Sequence, residues 1–86
     1  MHAVVVKVTV SDLESAQAAL RNEVVPRVAQ SPGFVAGYWL EPEGDKGMSI
    51  VLFDSEEAAR AAAERIQPPP MVTIDSVEVR EVVAHA

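Results

Sequence analysis

Two periodicities alternate along the chain, and they predict strands and helices in turn. Residues 3–10 (AVVVKVTV) are dense in β-branched side chains and predict a first strand. Apolar spacings of three and four then predict an amphipathic helix from about Asp12. Pro26 interrupts this pattern, so we expect either a kink or a second short turn that reaches about Gln30. The apolar stripe of the helix is Leu13, Ala16, Leu20 and Val24.

Both predicted helices begin at capping signals. Residues 11–14 (SDLE) match a capping box, which predicts that Ser11 caps the first helix and that its glutamate reaches back to the cap. The second helix is expected to begin at Asp54 or Ser55, with acidic residues in the first turn, where the helix dipole favours them.

The second half of the chain predicts a hairpin, the second helix and a last strand. A stop at residues 31–33 (SPG) precedes a strand over 34–41, and a polar turn with two glycines joins that strand to the next, over 48–53. Residues 68–70 (PPP) form a stiff connector, and a fourth strand covers about 73–84. The inner face of the second helix is alanine-rich, which predicts close packing: Ala58, Ala59, Ala62, Ala63 and Ile66.

The predicted order of elements, β-α-β-β-α-β, is typical of one fold class. Two right-handed crossovers around a central hairpin give an α+β, ferredoxin-like βαββαβ sandwich, a four-stranded antiparallel sheet with two helices on one face. The first and third strands are then central. A chain of 86 residues forms one such domain, 1–86.

The predicted strands alternate poorly between apolar and polar residues, although a sheet covered on one face should alternate. The face away from the helices would present Val5, Val51 and Phe53, together with Trp39 or Tyr38. Such a patch exceeds what most monomers expose, so we expect a homodimer that packs two sheets face to face. The alternative is a bulge that shifts one strand by a residue.

The two chain ends are expected to meet, because the first and fourth strands are antiparallel neighbours. Placing Val6 opposite Val79 keeps apolar residues together and sets Lys7 opposite Glu78.

The same register places the two histidines of the chain close together. His2 then faces Val83, with His85 one diagonal step away. Two imidazoles near Glu81 suit a metal ion, and the alternative is two solvated histidines at frayed ends.

Composition excludes several classes of protein. The chain has no cysteine, which rules out disulfides, thiolate nucleophiles and cysteine metal sites. A net charge of −6 without a basic run argues against nucleic acid and anionic membranes as partners. No stretch approaches the length of a membrane helix and no targeting signal is recognisable, so we expect a cytoplasmic protein.

Three segments carry a resemblance to a known family. They are residues 24–26 (VVP) late in the first helix, 31–35 (SPGFV) at the start of the second strand, and 49–59 (SIVLFDSEEAA) from the third strand into the second helix. With these features, and with the same order of elements from end to end, the chain resembles the dimeric α/β-barrel superfamily. Within it, the resemblance is to the antibiotic-biosynthesis-monooxygenase-like group.

The resemblance implies a face-to-face pair of sheets and a cleft between sheet and helices. Members of the superfamily include cofactor-independent oxygenases of aromatic substrates, haem-degrading enzymes and lactone isomerases. The oxygenases use an Asn, Trp and Tyr set, which makes Asn22, Trp39 and Tyr38 the catalytic candidates here. The sets do not map position by position, because the first strand has no Asn and the third strand has no Trp.

The candidate side chains have simple structural alternatives. Trp39 would stack on a flat substrate, and the hydroxyl of Tyr38 would hydrogen-bond a carbonyl or phenol. The alternative is that both are core or interface residues. The polar positions of the first helix point to the mouth of the cleft or form a solvated face: Arg21, Asn22 and Arg27. Arg80 and Glu81 are substrate groups or protective edge charges.

Three functions remain open on the sequence. The first is a cofactor-independent oxygenase or isomerase acting on a small apolar or aromatic molecule, and we expect no haem, flavin or metal. The second is a non-catalytic homodimer that binds a small apolar ligand in the same cleft. The third is a module that only dimerises, which would require a cleft filled by the protein's own side chains.

Overall fold

Four antiparallel strands form one sheet in the order β2-β3-β1-β4. The computed structural model describes residues 1–86. The strands are β1 (His2–Val10), β2 (Phe34–Trp39), β3 (Lys46–Phe53) and β4 (Val72–Glu81). The helical segments are α1 (Leu13–Ala19), a π-helical segment (Leu20–Val24), α2 (Val25–Ala29) and α3 (Glu56–Glu64). The predicted α+β, ferredoxin-like fold with central β1 and β3 is confirmed.

The first helix is bent, as its proline predicts. Its α1, π-helical and α2 segments follow one another without a break, and we call them together the bent helix. The π-helical turn forms just before the proline, where the backbone N–H of Val25 donates to the carbonyl of Leu20. Pro26 then lies in the first turn of α2, and its missing N–H removes one hydrogen bond from the continuous helical run.

The prediction that Ser11 caps this helix is wrong. Asp12 is the cap, and its Oδ1 accepts the backbone N–H of Ser15 at 3.2 Å. Ser11 is bound elsewhere, because its backbone N–H donates to the carbonyl of Met71 at 2.9 Å. At the second helix, Ser55 is the cap and its Oγ accepts the N–H of Ala58 at 3.1 Å, which confirms one of the two predicted positions.

Three strand boundaries differ from the prediction. β2 ends at Trp39, short of the predicted residue 41, and β3 begins at Lys46, two residues before the predicted start. A tight turn causes this, since the backbones of Glu43 and Lys46 pair around Gly44, whose φ is +62°. β4 ends at Glu81 rather than near residue 84, because Glu81 pairs with His2, the first residue of β1.

The core lies between the sheet and α3, and it corrects the predicted faces of β3. Val4 pairs with Val51, and both are buried together with Val6, Phe53 and Ala59. The prediction that Val51 and Phe53 lie on the uncovered face is therefore wrong. The inter-strand register, which the residue pattern did not determine, places them beneath the helices.

A bulge in β2 corrects the predicted position of Trp39. The pairing of β2 with β3 shifts between Phe34 and Ala36. The extra residue breaks the alternation, so Phe34 and Trp39 both pack against the core beneath the helices. Trp39 therefore does not belong to the uncovered face, although Tyr38 does, because it pairs with Ile50 there.

The uncovered face of the sheet is apolar, but most of its residues differ from those predicted. Val5 pairs with Ile50, and Leu52 pairs with both Ala3 and Ala36. We call this surface the open face and define it by Ala3, Val5, Ala36, Tyr38, Ile50 and Leu52.

The predicted register between β1 and β4 is also wrong, by two residues. Val6 lies opposite Val77 rather than Val79, and Lys7 lies opposite Ser76 rather than Glu78. As far as Lys7 the slip is two residues, which keeps each side chain on its own face, so the apolar pattern does not distinguish the two registers there. Beyond Lys7 the register shifts, and Val8 lies opposite Ile74.

Candidate functional site: a cleft between the bent helix and the sheet

The two helices cover the sheet unequally. α3 packs tightly, because its inner face is alanine and Ala59 is fully buried. α1 contains no buried residue, and its Leu13 is 39% exposed. The bent helix therefore leaves an open cleft of about 1090 Å³ between itself and the sheet.

Aliphatic side chains line most of this cleft. The sheet contributes Val8, Val10 and Ile74, and the bent helix contributes Leu20 and Val24 from its apolar stripe. The predicted apolar stripe of the helix therefore borders open space. Such a surface favours an apolar ligand, since covering it removes hydrocarbon from water.

Trp39 lines the cleft as its largest flat side chain. Its indole ring lies over Gly37, where a Cβ atom on the glycine would come within 2.7 Å of two ring carbons. Behind it, the rings of Phe34 and Phe53 meet edge to face, with centroids 6.4 Å apart. The glycine therefore makes room for the indole against an aromatic support.

A glycine also joins the start of β2 to the start of α3. Gly33 has a φ of +79°, and its carbonyl accepts the backbone N–H of Asp54 at 2.9 Å. A Cβ on Gly33 would lie 2.6 Å from Oδ1 of Asp54 and 2.7 Å from Cβ of Ala58. This contact brings together two of the segments that carry the family resemblance, and both border the cleft.

Polar side chains also line the cleft. Arg27 spans from α2 to the segment after α3, where its Nη2 donates to the carbonyl of Gln67 at 3.0 Å. Arg21 and Arg65 also line the cleft, as do Gln17 and Ser49. Its carboxylates are those of Glu41, Asp54 and Glu57.

The one pKa that clearly departs from its ordinary value lies outside the cleft. The pKa of Asp12 is lowered, first by the hydrogen bond from the Ser15 backbone N–H and then by the bond from the Ser15 hydroxyl, at 2.9 Å. Both bonds stabilise the ionised carboxylate. The shift therefore reports the cap of α1 and not a catalytic group.

The structure does not bring the three catalytic candidates together. Trp39 lines the cleft, whereas Tyr38 lies on the open face and is 56% exposed. Asn22 is exposed on the π-helical segment and is not part of the cleft wall. The polar positions of the first helix were expected either at the mouth of the cleft or on a solvated face. Of these, Arg21 and Arg27 are part of the cleft wall.

The histidines are not placed as predicted. His2 lies opposite Glu81 rather than Val83, and His85 is exposed beyond the end of β4. Nδ1 of His2 is buried without a hydrogen-bond partner. The structure contains no group of three or more His, Asp or Glu side chains positioned to hold a metal ion.

Several residues of the cleft were not predicted as site residues. Gln17 extends the helix stripe on its polar side, and Ser49 and Arg65 come from β3 and from the end of α3. Helical spacing is a signal for Gln17, which lies four residues after Leu13, since residues three and four apart share a face. None of the helices has the length and apolar character needed to cross a membrane.

Comparison with known proteins adds no assignment to this geometry. A scan of the chain against protein-family models finds no match, and a search among curated proteins finds no similar sequence.

Proposed function

We propose that the protein binds a small, largely apolar molecule in the cleft between the bent helix and the sheet. The observation that carries this proposal is the unfilled space of about 1090 Å³ against aliphatic walls. Ligand pockets typically enclose ~300–1,000 Å³ and are lined in this way. A module that only dimerises would gain stability by filling the space with its own side chains.

Trp39 supports a flat ligand in particular. The indole is held against the sheet by its position over Gly37 and lines the cleft. A flat aromatic molecule gains both buried area and stacking from such a surface, worth about 0.5–1.5 kcal/mol beyond area alone.

The family resemblance supports the same proposal. We propose membership in the dimeric α/β-barrel superfamily, in the antibiotic-biosynthesis-monooxygenase-like group. Its support is the sheet order β2-β3-β1-β4, the bent first helix and a cleft on the helix side of the sheet. The cleft is where that resemblance implies a ligand.

A homodimer through the open face is the second part of this proposal. Val5, Ile50 and Leu52 form an apolar centre on that face, and Tyr38 is exposed beside it. Glu78 pairs with Val5 in the register, and Arg80 pairs with Ala3, so both charge signs border the centre. A second copy offers a complementary surface, and about 800 Å² buried per partner is typical of a stable dimer.

Oxygenation of a bound aromatic is the second candidate function, favoured by Trp39 on the cleft wall. Its test is oxygen uptake with anthrone, whose methylene takes one oxygen atom of O2 to become the anthraquinone carbonyl while the other leaves as water. Ligand binding has more support than oxygenation, because two of the three catalytic candidates, Asn22 and Tyr38, lie away from the cleft.

Binding is tested with N-phenyl-1-naphthylamine, a neutral probe that fluoresces when it leaves water. We expect saturable enhancement with one site per chain. Ala16→Phe should abolish it, because Ala16 lines the cleft and the larger ring would fill the space. Ala29→Phe is the matched control, since Ala29 is exposed on α2 and not part of the wall. Equal binding by both variants would reject the cleft as the site.

A further inference from the structure

Three of the 7 Lys and Arg residues of this acidic chain line the cleft, namely Arg21, Arg27 and Arg65. The two ion pairs of the structure use other arginines, Arg60 with Glu56 and Arg80 with Glu78. The cleft arginines therefore have no carboxylate within ion-pair distance in a protein whose net charge is −6.

Arg27 is held in place with most of its donors unused. One N–H of its guanidinium binds the Gln67 carbonyl at 3.0 Å. A guanidinium carries five N–H donors in a fixed plane, so the group is oriented and still able to bind an acceptor. Arg65 lies two residues before Gln67, at the C-terminal end of α3, and belongs to the same end of the cleft.

The carboxylates of the cleft lie away from this end. Asp54 precedes α3 and Glu57 lies in its first turn, whereas Arg65 follows its last residue. Eight residues separate Glu57 from Arg65, which is about 12 Å at the rise of an α-helix. Glu41 follows the far end of β2. Within the cleft lining, the end around Gln67 therefore carries arginines and no carboxylate, and the adjacent Glu64 lies outside that lining.

From this arrangement, and resting on the proposed function, we infer that the ligand is an amphiphilic carboxylate. Its apolar body lies against Trp39 and the aliphatic walls, and its carboxylate is bound by Arg27 with Arg65 close by. The planar guanidinium matches a carboxylate through two parallel hydrogen bonds, which gives direction as well as affinity. The arginines thus fix the orientation of the ligand within an otherwise undirected apolar site.

The test compares 2-naphthoate with its neutral isostere 2-naphthamide by isothermal titration calorimetry. We expect the carboxylate to bind about tenfold more tightly, the ratio that one additional charge-assisted hydrogen bond supplies. Arg27→Gln and Arg65→Gln should each reduce the ratio of carboxylate to amide affinity. Arg60→Gln is the control, because Arg60 is exposed, paired with Glu56 and outside the cleft wall.

The outcomes separate this inference from the proposed function. Equal binding of the amide and the carboxylate would overturn the inference and leave the apolar site intact. Binding of neither compound would overturn both. If Arg27→Gln fails to fold because the Gln67 contact is lost, Arg65→Gln decides the question. A carboxylate preference that survives in Arg65→Gln would then contradict the inference.

Discussion

The indole ring of Trp39 occupies the space that a side chain at Gly37 would need. A Cβ on Gly37 would lie 2.7 Å from two carbons of the ring, well inside van der Waals contact. The two residues share a face of β2, two positions apart. The absent side chain at Gly37 therefore determines where the flat wall of the cleft lies.

Gly37→Ala is expected to displace the indole and destabilise the protein by about 1–3 kcal/mol, the usual cost of overpacking. The test is a double-mutant cycle with Trp39→Ala, measured by urea unfolding. In the Trp39→Ala background, Gly37→Ala should cost little, because the ring it would strike is gone. Additive effects of the two substitutions would contradict the contact.

Substitution by alanine is expected to lower the free energy of unfolding by different amounts at the two glycines with positive φ, Gly33 and Gly44. Gly33→Ala must adopt a left-handed conformation and also meets Asp54 and Ala58. Gly44→Ala has the same conformational cost, with a φ of +62°, but no atom lies within 4 Å of its Cβ. We expect Gly33→Ala to be about 1–3 kcal/mol more destabilising in thermal unfolding. Equal costs would show that the space around Gly33 is not restricted.

The cap of α1 predicts a pH-dependent contribution to stability. The folded pKa of Asp12 is below its ordinary value of 3.8, so its contribution is fully present above pH 3.8. It is lost as the pH falls through the lower, folded pKa. Carbon-detected NMR of the Asp12 carboxyl should give this lowered value. Asp12→Asn should keep the cap but lose this part of the acid dependence, whereas an unshifted Asp12 titration would contradict the cap.

The open face predicts a dimer that a buried charge disrupts. Ile50→Asp would place an unpaired carboxylate at the centre of the interface, so we expect monomers in sedimentation velocity at micromolar concentration. Val83→Asp is the control, because Val83 is 93% exposed beyond β4. A wild-type monomer at high micromolar concentration would refute the dimer.

The element order could be predicted from the sequence because each element carries its own local signal. The valine-rich run of β1, the alanine face of α3 and the proline of the bent helix each act within a few residues. Sheet order then follows from the handedness of the crossovers.

Residue faces and register could not be predicted, because they depend on contacts between distant strands. The extra residue of β2 between Phe34 and Ala36 moves Trp39 beneath the helices, and nothing in the local pattern marks it as a bulge. As far as Lys7, the slip between β1 and β4 preserves the face of each residue, so Val6 meets another valine in either register.

The cleft itself was expected only from the family resemblance. The stripe containing Leu20 and Val24 has the same appearance whether it fills a core or borders a cavity. Whether the stripe is buried or borders a cavity depends on the distance between α1 and the sheet, which is a property of the whole fold.

The most direct test of the account is to locate a bound probe by intermolecular NOEs on methyl-labelled protein with 2-naphthamide. We expect NOEs to Val8, Leu20 and Val24, which line the cleft. The open-face methyls of Val5 and Leu52 should show none, because they lie on the other side of the sheet. NOEs confined to Val5 and Leu52, or no saturable binding at all, would contradict the claim that the cleft is the binding site.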